Sequence, residues 1–106
     1  MDFALKRVII HGNTTYDPNL FVLRVAGQTV ILTPSEVKLL SALLPRISKV
    51  VSKRVLLGGV YGHRPVMPPP TALNVVICRF RRKLAASGST LMIRTIWGEG
   101  VLLENA

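Results

Sequence analysis

Cysteine is almost missing from this chain. Cys78 stands alone among 106 residues, which excludes an internal disulfide and a cysteine-rich metal site. Acid is scarce too. Asp2, Asp17, Glu36, Glu99 and Glu104 are the five carboxylates, set against fourteen Lys and Arg, for a formal net charge of +9. No apolar run approaches the ~18–20 residues of a membrane span. Asp2 and then Lys6-Arg7 precede the first short apolar stretch, the wrong order for a secretory signal. These absences predict a cytoplasmic protein in a reducing compartment.

The layout of charge is more informative than its sum. Between Glu36 and Glu99 there is no acidic residue, yet that stretch holds eleven basic ones: Lys38, Arg46, Lys49, Lys53, Arg54, Arg64, Arg79, Arg81, Arg82, Lys83 and Arg94. Solvated surfaces usually interleave the two signs. Segregation on this scale predicts a polyanionic partner, nucleic acid before an anionic membrane surface. A merely soluble basic domain is the bland alternative. At this length, with 49% apolar residues, the chain suits one domain spanning 1–106 with one core.

The first third, residues 1–32, reads as an antiparallel meander of four strands. Arg7–Ile10 is β-rich, Gly12-Asn13 marks a turn, Thr14–Tyr16 is extended, and Asp17-Pro18-Asn19 turns again. Leu20–Val25 and Gln28–Leu32 flank Ala26-Gly27 as a hairpin. The period then changes, and 33–86 reads as three helices. Thr33, Pro34 and Glu36 form a helix start with a capping box, Val37, Leu40, Leu43 and Leu44 give a buried face, and Pro45 is the stop. Val50-Val51 suits a short strand. Ser52 can cap a second helix that ends at Gly62, with Val55, Leu56 and Val60 inward. A proline-rich loop, 62–70, leads to a third helix over about Thr71–Ala86. Leu73, Ile77, Phe80 and Leu84 form its back. Thr71, Val75, Cys78, Arg79 and Arg82 form its front, with Asn74, Arg81 and Lys83 beside them. Residues 91–104 read as a hairpin around Gly98-Glu99-Gly100. The predicted class is α+β: a winged helix-turn-helix with an N-terminal four-stranded antiparallel sheet, three helices and a C-terminal β-hairpin wing.

From Leu32 onward the residues resemble the OmpR/PhoB family of bacterial transcription-factor effector domains. The pieces are Leu32–Glu36, Leu39-Leu40, Val50–Ser52, Leu56–Gly62, Leu73–Ile77, Arg79–Leu84 and Ile93–Gly100. Each is weak alone, and the ordered set is specific. Ile77-Cys78 and Thr95–Gly98 look closest to a cell-cycle branch of the alphaproteobacteria.

The resemblance implies a sequence-specific transcriptional regulator of double-stranded DNA, with the third helix in the major groove and the wing near the adjacent minor groove. Arg79 is the expected base reader and Val75 a thymine-methyl contact. Thr71 and Cys78 share their helix front, and Asn74 flanks it. Arg81, Arg82 and Lys83 are expected on phosphates, as are Lys53 and Arg54 at the start of the second helix. On the wing, Arg94 and Thr95 are polar candidates. The chain departs from the family there: Trp97 stands where a basic residue is common, Val101 where tyrosine is, and Glu99 adds negative charge near the tip. For Trp97 two readings stand open, an aromatic packed under the wing or a sugar or backbone contact in the groove. The loop residues His63, Arg64 and Met67 are candidates for touching RNA polymerase, against a passive connector. No receiver domain fits before a meander that starts within ten residues of Met1. Either a stand-alone regulator or an excised effector domain is expected, binding as a monomer or as a weak homodimer on adjacent half-sites, nucleoid-associated.

Catalysis lacks convergent groups, because His11 and His63 are isolated from carboxylates and from Cys78 in sequence. No glycine-rich phosphate loop occurs, and no cofactor or metal is expected. A reactive Cys78 on a basic helix is the minor reading beside an ordinary small contact residue. The main alternative to DNA binding is a stand-alone winged-helix interaction protein that meets RNA polymerase or another regulator with weak or no DNA binding.

Overall fold

A computed structural model describes residues 8–105. Strands β1 (Ile9–His11), β2 (Thr14–Asp17), β3 (Val22–Val25) and β4 (Gln28–Ile31) form an antiparallel meander in chain order. Arg7, the expected start of the first strand, lies outside the described residues. Period-two alternation separates the faces of this sheet. Tyr16 pairs with Leu23 and both are buried, whereas Thr15 pairs with the exposed Arg24 on the opposite face. The β3–β4 hairpin turns on Ala26 and Gly27 at φ 47° and 85°, the left-handed pair whose twist matches the flanking strands. Leu20 and Phe21, expected in β3, belong to the preceding turn instead. The Asp17 carboxylate accepts from the amides of Asn19 (3.0 Å) and Leu20 (3.3 Å), prolonging that turn.

Helix α1 (Pro34–Leu43) begins as its residues dictate. The Thr33 hydroxyl accepts from the Glu36 amide at 3.3 Å, and Glu36 Oε1 accepts from the Thr33 amide at 2.8 Å. Val37, Leu39, Leu40 and Leu43 are buried. After a single 3₁₀ turn holding Pro45, strand β5 (Val50–Val51) leads into helix α2 (Lys53–Tyr61), capped by Ser52 through the Val55 amide at 3.2 Å. Leu56, Val60 and Tyr61 are buried, but Val55 is not. It occupies the first turn one position before Leu56, about 100° round the helix, and faces outward.

Helix α3 (Pro70–Ser87) extends one residue beyond each predicted end. Pro70 takes the first helical position, where a missing amide proton costs nothing. Leu73, Ile77, Phe80 and Leu84 are buried as one stripe against the other helices and the wing. Strands β6 (Leu91–Ile96) and β7 (Gly100–Asn105) make the wing hairpin, and β5 adds to it in the order β5-β7-β6. At Gly100, φ is 152° and a Cβ would stand 2.1 Å from the Val51 carbonyl oxygen, so glycine lets the start of β7 lie close against the end of β5, its neighbour in the sheet. The meander is tied to the α3–β6 connection by Asn13. Its Oδ1 accepts from the Thr90 amide at 2.8 Å, its Nδ2 donates to the Gly88 carbonyl at 3.0 Å, and its own amide donates to Thr90 Oγ1 at 3.2 Å.

Among the described residues no helix is long and apolar enough to cross a membrane.

Candidate nucleic-acid interface

One face of α3 is stripped of core contacts. Thr71, Asn74, Val75, Arg79 and Arg82 are exposed along it, and Cys78 is half-buried between them. At about 100° per residue Thr71, Val75, Cys78, Arg79 and Arg82 fall opposite the buried stripe, and Asn74 sits at the edge of that face. Among the described residues no ion pair or side-chain hydrogen bond engages Arg79 or Arg82. Two guanidinium groups, an amide, a hydroxyl and a β-branched methyl pair are thus displayed together.

The helix flanks behave differently. Arg81, half-buried, turns toward the wing: its Nε donates to the Ile93 carbonyl at 3.1 Å and its Nη2 to Thr95 Oγ1 at 3.0 Å. Those bonds fix the wing relative to α3 and engage the guanidinium that was expected on a phosphate. Lys83 lies on the other flank. Its ammonium donates to Glu36 Oε1 at 2.6 Å and to the Ile31 carbonyl at 2.9 Å, facing α1 and the meander. Glu36 is buried, so this cation supplies a partner to a carboxylate that is shielded from water. The Lys83 ammonium, expected on a phosphate, is thus engaged within the domain.

The wing supplies a second set. Thr95 shares the α3-facing side of β6 with Ile93, as alternation requires. Arg94 faces the other side, where its Nε meets Glu104 Oε1 at 2.7 Å. Arg94 is therefore paired on the outer surface of the hairpin. Trp97 sits at the hairpin turn and is 97% exposed. It packs under nothing, which excludes the first of its two readings. An open cleft runs between this turn and the start of α2, lined by Lys53, Thr95, Trp97 and Glu99 among others. Arg54 is exposed on the same first turn of α2. The structure thus brings the α2 start and the wing turn around one cleft and ties the wing to α3 through Arg81 and Thr95, while Lys83 and Arg94 are held in ion pairs with Glu36 and Glu104.

The loop before α3 is exposed at His63, Arg64 and Met67. Lys38 of α1 donates to His63 Nε2 at 3.0 Å, and the Arg64 guanidinium lies 5.0 Å from the centroid of the Tyr61 ring. Asn13 and Glu104, which hold the wing connection and Arg94, were not among the sequence candidates. Only the Gly12-Asn13 turn hinted at the first, and nothing local hinted at the second.

Residues 27–103 match the family described as "Transcriptional regulatory protein, C terminal". The chain belongs to this family. It is 35% identical over 100 residues to the cell cycle response regulator CtrA of Brucella ovis, a match that covers 93% of this chain and 43% of CtrA. The chain thus spans less than half the length of that relative, which lies in the cell-cycle branch that Ile77-Cys78 and Thr95–Gly98 suggested. Among solved structures it resembles the response regulator DrrB of Thermotoga maritima, an OmpR/PhoB homologue, with 27% identity and a TM-score of 0.76 over 94% of this chain and 45% of DrrB. The DNA-binding domain of the response regulator AdeR, solved in complex with an intercistronic region, shares the fold: TM-score 0.78 and 19% identity, covering 92% of this chain and all of that one. The family is one of transcriptional regulators, and the α+β winged-helix architecture is its fold.

Proposed function

We propose that this domain is a sequence-specific double-stranded DNA-binding transcriptional regulator, with α3 in the major groove and the wing beside the adjacent minor groove. The observation that carries this reading is the α3 front, where Arg79 and Arg82 stand unpaired beside Asn74, Val75 and Thr71. A guanidinium there can donate to both major-groove acceptors of guanine. Arg82, Lys53 and Arg54 grip phosphates and set the register, and the first amides of α2 add donors for another. The same reading locates the protein in the cytoplasm on the nucleoid, bound as a monomer or as a weak homodimer on adjacent half-sites. Fluorescence anisotropy against a random-sequence duplex pool, followed by in vitro selection, tests it. Affinity must fall steeply as salt rises, and a preferred site must emerge. Failure to bind any duplex at low salt rejects the reading.

A second reading is a protein-interaction role through the loop, in which Val66 is 77% and Met67 49% exposed beside Arg64. Apolar side chains displayed with a cation suit RNA polymerase or another regulator. Pull-down of RNA polymerase in the absence of DNA, with Met67→Ala as the control, separates this from DNA binding alone.

A further inference from the structure

Trp97 is the chain's single tryptophan, the largest apolar side chain it owns, and it stands 97% exposed at the end of the wing. The Glu99 amide donates to the Ile96 carbonyl at 3.0 Å, closing a four-residue turn with Trp97 in its second position. Gly98 follows at φ 73°. The indole is thus held at the tip of a braced hairpin: β7 is paired on both sides, and Arg81 ties β6 to α3. It adds nothing to the core. The wing has no unpaired guanidinium to place in a narrow groove, because Arg94 is held by Glu104 on the outer surface. Lys53 lines the same cleft as Trp97 and Glu99.

A flat apolar ring on a rigid arm beside a cationic helix start fits one feature of a duplex, the face of a base exposed at an opened step. We infer that Trp97 is a wedge. It stacks on a base step at the edge of the footprint, partly unstacks it and bends the DNA, so that the site favours a flexible pyrimidine–purine step under the wing. This inference rests on the DNA-binding reading and assigns a shape-reading role to Trp97.

The test uses the full chain and the duplex it selects in vitro, labelled for anisotropy and, at its two ends, for energy transfer. Because no second tryptophan exists, emission reports the indole directly. Binding should quench that emission and shorten the end-to-end distance. Trp97→Ala should weaken binding roughly tenfold, reduce the bend and lose the pyrimidine–purine preference on reselection, while Trp97→Phe keeps most of each. Exposure of the side chain predicts unchanged unfolding curves for both variants. If anisotropy reports binding while emission stays constant and Trp97→Ala binds and bends like the parent, the wedge is overturned and DNA binding stands. If the parent binds no duplex, the DNA reading fails and the wedge with it.

Discussion

Lys83 lies 2.6 Å from the buried carboxylate of Glu36, the residue that also closes the α1 capping box. One side chain therefore starts a helix and anchors α3 to it. Lys83→Ala removes the cation and leaves Glu36 uncompensated. With the Lys83 side chain one-third exposed, the full cost of a broken buried pair is not reached, and a loss of about 1–3 kcal/mol is expected. Urea unfolding measures it. The salt dependence of DNA binding should not change in this variant, whereas Arg82→Ala should flatten it by about one counterion with little effect on stability.

Arg81 couples the wing to α3 through two acceptors on β6. Arg81→Ala should cost about 1–2 kcal/mol of stability. Arg81→Lys should not restore it, because a single ammonium does not reproduce the planar fork that meets both oxygens. Both variants should weaken DNA binding by loosening the wing. Hydrogen exchange across 91–105 detects that loosening independently.

Tyr16 predicts an alkaline limit to stability. Burial pushes its phenol above the ordinary value of 10.0, its hydrogen bond with Ser41 opposes the rise, and the charge of Asp17 adds to it. As pH climbs past the ordinary value, the unfolded chain releases this proton first and binds fewer protons than the native one. Stability present below that value is then lost as pH rises through the raised folded value. Tyr16→Phe should remove this part of the alkaline decline, as read from urea midpoints across the alkaline range.

Local chemistry made most of the fold legible. Thr33, Pro34 and Glu36 announced α1, Ser52 announced α2, and the 3.6-residue spacing from Leu73 to Leu84 defined the buried side of α3. By subtraction, that same spacing gave the exposed front of α3. What sequence could not supply was partners distant along the chain. The reach of Lys83 to Glu36 and of Arg94 to Glu104 depends on how elements pack, and each gives an acidic partner to a cation expected at the interface. Trp97 was ambiguous because alternation breaks at the hairpin turn, where no period says which way a side chain points. The break in β3 had a local cause, the Asp17 carboxylate drawing Asn19 and Leu20 into the turn.

Arg79 carries the central claim most directly. On the selected duplex and on single-base variants of it, affinities of the parent and of Arg79→Ala should be measured at one fixed salt concentration. A base-reading arginine predicts a loss of about 1–3 kcal/mol on the preferred site, with discrimination relaxed at one or two adjacent positions and kept elsewhere. An equal loss on every sequence, or none at all, would contradict a major-groove reading by α3.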